Sequence, residues 1–441
     1  MDIVELSDRR WRGEDLGQKT NPLGAIGHVA EITDDTAFLA NFANCTAIST
    51  SDGLVMVDTG SPLTAELVHQ EIRTWSALPL RSAVFSHGHI DHVFGVGPFE
   101  DEASTNGWAK PHVIAHERVS RRFDRYLMTH GYNEIINQRQ FASTNLQWPT
   151  AYRYPDETYD LEHDFAVGAT QFHLRHEKGE TDDATVTWIP ETGVLCSGDL
   201  FIWNSPNAGN PQKVQRYPLE WAQALRRMVD LQARYLLPGH GLPVIGRDRI
   251  RQALSETAEY LESLVEQTLA LMNDGARLAD ALANVKVPRH LEERPYLQPY
   301  YDEPEFIVRN VWRLYGGWWD GNPANLRPAH ERALAAELAD LAGGVNALCA
   351  RAESLLEDGS DEGLRLAGHL AETAWLASPS DPGVQDVRRR VFHALAANAT
   401  STMSRGIFSW AEREASSEGS QSSRPTVAWP PDLARREIKR P

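Results

Sequence analysis

Between about residues 25 and 245, short apolar runs alternate with helical or loop-like stretches. LVMVDTG (54–60), SAVFSHG (82–88), ATVTWIP (184–190), VLCSGDL (194–200) and RYLLPGHG (234–241) each have the length of a strand. Most end in or just after Gly, Pro, Asp or His, as buried strands do when they deliver polar residues to one sheet edge. The pattern predicts an α/β scaffold with functional residues on loops at strand ends. From Arg247 the period changes to three and four. Ile250, Leu254, Leu261, Leu264, Val265 and Leu269 share one face of a single long amphipathic helix that stops near Gly275. The stretch VPRHLEERPYLQPYYDEPEF that follows has too many breakers for regular structure, and residues 305–328 are dense in Trp, Gly and Asn. Residues 328–405 are Ala- and Leu-rich with helical periodicity, broken at Gly343-Gly344, Asp358-Gly359 and Ser378–Pro382, and predict an all-α unit. Its helix pairing is similar to a tetratricopeptide hairpin, but no second copy recurs at the expected period. The Ser-, Pro- and charge-rich end reads as a mobile tail.

Composition narrows the function. A chain of 441 residues has room for about two or three domains. Its net charge is −18 with no Lys/Arg run, so nucleic acid and anionic membrane surfaces are poor partners. An anionic substrate would be repelled by this field, and local cations must attract it. Cys45, Cys196 and Cys349 are few, scattered and odd in number, which predicts neither a disulfide framework nor a Cys-rich zinc module. The N-terminus has no apolar h-region, and no apolar stretch approaches the ~18 residues of a membrane span. The expectation is a soluble, cytoplasmic protein.

The chemistry is concentrated in Ser86-His87-Gly88-His89-Ile90-Asp91-His92, an H-x-H-x-D-H string directly after a strand-like run. Three imidazoles and a carboxylate within six positions cannot all reach one metal from regular structure. A turn can present them to two adjacent ions, His87 and His89 to one, Asp91 and His92 to the other. Neutral imidazole and carboxylate suit Zn²⁺, with Fe or Mn as alternatives.

HGHIDH, preceded by VDTG and followed by SGD and then PGHG, resembles the metallo-β-lactamase superfamily, including its glyoxalase-II-like and sulfatase-like branches. The resemblance implies that Asp199 of SGD bridges the two metals, that His240 of PGHG completes the second, and that Asp58 of VDTG orients the ligands from behind. Where many members carry an HTPGHT-like histidine, this chain has Glu180 in His176-Glu177-Lys178-Gly179-Glu180-Thr181. That matches the alkylsulfatase branch, although the second carboxylate there is usually Glu and here is Asp199. Asp182 and Asp183, read as solvated neighbours, are the alternative ligands. Segments 116–141, 316–328 and 399–408 are also similar to alkylsulfatases, and the helical region is similar to that family's dimerisation domain. The family's sterol-carrier-like domain has no counterpart here, which argues against long-chain detergents as substrates.

The family's sulfate-gripping Asn and Arg fall at Asn207 and, for want of an Arg, at Lys213 or Arg216; its proton-donating His is replaced by Tyr301. The implied fold is a four-layer αβ/βα metallo-β-lactamase sandwich followed by an all-α dimerisation domain. The expected regions are an N-terminal extension (1–24), a catalytic domain (25–246), a long helix with a connecting segment (247–327), the dimerisation domain (328–410) and a tail (411–441). The expected function is a dinuclear zinc hydrolase acting as a homodimer on a small anionic ester, most simply a short or medium alkyl sulfate. Its metals sit on His87, His89, Asp91, His92, Glu180, Asp199 and His240, its catalytic set is Asp91, Asp199 and Tyr301, and a water or hydroxide bridging the ions is the nucleophile. A phosphodiester, lactone or thioester hydrolase, or a scaffold with a structural metal, would use the same ligands.

Overall fold

The computed structural model describes residues 2–14 and 27–415. Its first sheet runs in chain order, β1 (Val29–Thr33), β2 (Thr36–Leu39), β3 (Cys45–Thr50), β4 (Gly53–Val57), β5 (Leu80–Phe85), β6 (His112–His116) and β7 (Glu157–Tyr159). The first four strands are antiparallel neighbours, and β4 through β7 are parallel. The second sheet contains β8 (Glu162–Val167), β9 (Thr170–Glu177), β10 (Ala184–Ile189), β11 (Val194–Ile202), β12 (Tyr235–His240) and β13 (Val244–Ile245), ordered 13-12-11-10-9-8. There only β11 and β12 run parallel.

The apolar runs are continuous because both faces of these strands are covered. Val55 and Val57 of β4, Val84 of β5 and Ile114 of β6 join Phe172, Leu174 and Val186 of the other sheet in one core. Their alternating neighbours point the opposite way: Leu54 and Met56 lie under a helix layer with Val68 and Ile72, and Ala83, Phe85 and Val113 lie with Val96, Val119 and Phe123. The period of two thus builds a helix layer outside a pair of facing sheets.

The helices are α1 (Ile3–Trp11), α2 (Ala65–Trp75), α3 (Val96–Asn106), α4 (Glu117–Met128), α5 (His130–Gln140), α6 (Pro218–Asp230), α7 (Arg247–Asn273), α8 (Leu278–Asn284), α9 (Pro304–Gly316) and α10 (Pro323–Leu326). Five more follow: α11 (Glu331–Leu341), α12 (Val345–Asp358), α13 (Asp361–Ala377), α14 (Pro382–Asn398) and α15 (Thr402–Glu414). The chain forms two compact units, Met1–Leu127 with Pro149–Trp318, and Met128–Trp148 with Trp319–Pro441.

In the first unit α7 is the long helix the sequence predicts. It packs into the sandwich core through Ile250, Leu254, Leu261 and Leu264, alongside Trp221 and Leu225 of α6. The segment expected to connect domains therefore belongs, up to Trp318, to the sandwich unit. Part of it, α9, is a regular helix that the breaker-rich sequence concealed, with Pro304 in its first turn, where a missing N–H costs nothing. The expected N-terminal extension carries α1, whose Ile3 and Leu6 enter the same core and whose Trp11 stacks on Tyr296 at 5.2 Å.

In the second unit the helices break where the sequence does. Small residues at the helix contacts (Ala352, Ala367, Ala371 and Ala374) let α12, α13 and α14 approach closely. Ser360, Asp381 and Ser401 cap α13, α14 and α15 through backbone N–H groups. The tail expected from 411 begins inside α15, and beyond residue 415 it lies outside the described residues. Among the described residues no single helix is long and apolar enough to cross a membrane.

Candidate metal centre

Three strand ends and one residue within a strand converge on one edge of the sandwich. β5 runs into the turn 86–92, β9 into the turn holding Glu180, β11 carries Asp199, and β12 ends at His240. Two groups of potential ligand atoms result, each group within 4.8 Å: His87, His89, Glu180 and Asp199 in one, Asp91, His92 and His240 in the other. Asp199 adjoins both, since its Oδ2 lies 3.6 Å from His87 Nε2 and 3.3 Å from His240 Nε2, and its Oδ1 lies 3.5 Å from His92 Nε2. Room for it depends on Gly239, where a Cβ would sit 2.2 Å from Asp199 Oδ1.

The imidazoles are aimed from behind. His92 Nδ1 donates to Asp58 Oδ2 at 2.8 Å, which leaves Nε2 facing Asp91 and Asp199. His240 Nδ1 donates to the Phe42 carbonyl, which leaves its Nε2 facing the same two carboxylates. Asp58 also accepts from the Ser86 N–H and hydroxyl, each at 2.7 Å, and it does so from a left-handed backbone, φ 59°. Strained backbone of this kind clusters where a side chain must be aimed.

Charge in the cluster is unbalanced. Burial raises the Glu180 carboxyl to about 8; nearby Asp199 adds to the rise and Arg216 opposes it. Burial also lowers His240, yet Asp199 and Asp91 outweigh it and push the ring up to about 9. His87 is pushed down to about 4 by burial and by His92, so it is a neutral lone-pair donor. Asp199 Oδ1 and His92 Nε2 are buried without a hydrogen bond. Carboxylates that hold protons on their neighbours, ringed by imidazole nitrogens and orphaned acceptors, form a donor set that fits a divalent cation.

Around this centre, Glu180 accepts from Asn207 Nδ2 and pairs with the Arg216 guanidinium, both buried. Lys213 is half-buried; burial and Arg216 push its ammonium down to about 7 against the pull of Asp91 and Glu180. Asn207, Lys213 and Arg216 thus share one loop against the carboxylates.

That loop is fastened by residues the sequence reading missed. Ser205 N–H donates to the Gln298 carbonyl at 2.9 Å, Gly209 N–H to Asp302 Oδ2 at 2.6 Å, and Asn310 Nδ2 to the Arg216 carbonyl at 3.0 Å. Tyr301 is half-buried, one residue before Asp302. Asp182 and Asp183 fall outside both ligand groups. Neither is fully solvated, which corrects the sequence reading: Asp183 is completely buried and Asp182 about 29% exposed, and both bind Arg122.

The chain matches the metallo-beta-lactamase superfamily model over residues 39–240 and the alkyl sulfatase dimerisation model over residues 277–418. It belongs to the alkylsulfatase-like branch of the metallo-β-lactamase superfamily. Among relatives of this alkylsulfatase-like chain, a linear primary-alkylsulfatase of a Pseudomonas strain is 25% identical, with 79% of this chain and 69% of that one covered. An (R)-specific secondary-alkylsulfatase of Pseudomonas is 24% identical over 78% of this chain and 55% of that one. The chain thus spans between 55% and 69% of these relatives' length. The solved structure of a stereoselective inverting sec-alkylsulfatase from Pseudomonas superposes with a TM-score of 0.80 at 22% identity, covering 92% of this chain and 69% of that one, and shows the same fold.

Proposed function

We propose that this protein hydrolyses a small anionic ester, first of all an alkyl sulfate of short or medium chain, using two zinc ions. The observation that carries the reading is the pair of ligand groups joined by Asp199, in a chain that matches both family models. His87, His89 and Glu180 would hold one ion, Asp91, His92 and His240 the other, with Asp199 between them. Bound there, the metals supply an acidified water and cationic charge for the ester head. The protein's own residues do the rest. Asp58 and the Phe42 carbonyl hold the imidazoles in one tautomer. Arg216 adds fixed positive charge on the substrate side, and Lys213, whose ammonium is pushed down to about 7, adds a charge that depends on its proton, in a protein whose net charge otherwise repels anions. Tyr301, which follows Gln298 and precedes Asp302 on the segment fastened to that loop, is our candidate proton donor to the departing alcohol. The buried free thiols of Cys45, Cys196 and Cys349 support a reducing, cytoplasmic setting.

Zinc-loaded protein is expected to turn over short alkyl sulfates in preference to phosphodiesters, lactones and thioesters. A preference for any of the other three classes overturns the sulfate reading while leaving the metal centre intact.

The working assembly we propose is a homodimer. Leu334, Leu338 and Leu341 form a stripe at helical spacing on α11 and are 52%, 44% and 83% exposed, which is more contiguous apolar surface than a lone helix usually shows water. Light scattering is expected to give twice the 49.3 kDa chain mass, and Leu334→Asp with Leu338→Asp should shift it to one. A wild-type protein that stays at one chain mass at micromolar concentration overturns the dimer.

A further inference from the structure

The buried face of α4 carries Val119, Arg122, Phe123 and Tyr126, so an arginine occupies a position its spacing assigns to the core. Arg122 is not there for packing alone. Its Nε and Nη2 hold both oxygens of Asp183 at 2.6 and 2.8 Å, and Nη2 also reaches Asp182 Oδ1 at 2.7 Å. The Arg122 and Asp183 side chains are 3% and 0% exposed, and such a pair holds its geometry where a surface pair would not. Asp183 Oδ2 also accepts the Gly88 N–H at 3.2 Å, and the Thr185 N–H donates to the Ser86 carbonyl at 2.6 Å. The turn bearing His87 and His89 is thereby stitched to the turn bearing Glu180. Gly88 is a glycine for the same reason: a Cβ there would lie 2.9 Å from Arg122 Cδ and 3.1 Å from Asp183 Oδ2. The second ligand group rests on other supports, with His240 on the Phe42 carbonyl and Asn44 Nδ2 donating to the carbonyls on either side, Pro238 and Gly241, each at 2.9 Å.

We propose that the Arg122–Asp183 pair is a positioning device for one of the two metal sites: it sets the spacing of His87, His89 and Glu180, and its loss weakens the ion held there while sparing the ion at Asp91, His92 and His240. The proposal rests on the two-ion reading and adds that the two sites are supported separately. It does not rest on the identity of the ester.

The test is graded chelator competition on the full-length protein, with zinc per chain read by elemental analysis and folding followed by circular dichroism. Wild type is expected to release two ions. Asp183→Asn and Gly88→Ala should release one of them at a chelator strength about 10- to 100-fold lower, with the other unchanged. In a His240→Ala background, which leaves only the first group whole, Gly88→Ala should remove the remaining zinc. Should Asp183→Asn fail to fold, Gly88→Ala, which keeps both charges, decides alone. Two ions in wild type with wild-type release of both in the folded variants overturns the proposal, as does equal weakening of both sites. A single ion in wild type overturns the two-ion reading and the proposal with it.

Discussion

Replacing Glu180 with alanine is expected to empty the first ligand group and reduce alkyl sulfate turnover to background, a larger loss than the roughly 10- to 100-fold typical of a residue that only supports a ligand. Glu180 is buried and faces His89 at 4.0 Å, while its other oxygen anchors Asn207 and Arg216. The alanine therefore removes an anionic donor and also takes the carboxylate from a buried guanidinium, a change that costs on the order of 3–5 kcal/mol of stability. Glu180→Gln separates the two effects, because its amide oxygen still accepts from Arg216 while the anionic donor is gone. It should lose less stability than the alanine variant, because the hydrogen-bond acceptor is kept, and still lack the first ion. Glu180→His restores a metal-binding side chain but leaves the cluster one charge more positive; it should keep zinc and lose sulfatase-type activity. Full zinc content and normal turnover in Glu180→Ala would place the ligand elsewhere.

The second large effect is expected at Asp58. Its carboxylate is the acceptor for three buried donors, the Ser86 N–H, the Ser86 hydroxyl and His92 Nδ1. Each buried donor left without an acceptor costs about 1–3 kcal/mol. Asp58→Ala should therefore lose on the order of 3 kcal/mol or more, with an added strain contribution because alanine tolerates the left-handed backbone poorly. Asp58→Asn suits that backbone and keeps one acceptor, so it should recover most of the stability. It should still bind zinc more weakly, because an amide cannot anchor the His92 ring as a carboxylate does. Urea midpoints with and without zinc, beside a zinc titration, read both quantities. An Asp58→Ala protein with wild-type midpoint and affinity would show that the imidazoles are aimed by something else.

The candidate ligands at this centre were legible because the chain writes them in order in or just after recognisable strands. HGHIDH, SGD and PGHG follow apolar runs, and a run buried on both faces has no polar interruption until it reaches the sheet edge. Glu180 was legible only through the resemblance, since an EKGETDD cluster has no period that separates a ligand from its neighbours. The supports were hidden for a more basic reason. Arg122 and Asp183 are 61 residues apart, and an arginine on a helix reads as surface until its partner is known. Asp302 and Asn310 sit in and beside a helix whose prolines and aromatics resemble a linker. Tertiary pairing decides such residues, and local pattern does not.

The fastening of the 203–216 loop to Gln298, Asp302 and Asn310 has an evolutionary consequence. The candidate metal ligands hang from the sandwich strands and the turns that follow them, whereas the loop that we propose meets the substrate takes its shape from α9 and its lead-in. Drift in residues 298–310 can thus reshape what the centre accepts while the imidazoles, held by Asp58 and the Phe42 carbonyl, keep their places. A lineage built this way can explore new esters by altering a helix that carries none of the ligands.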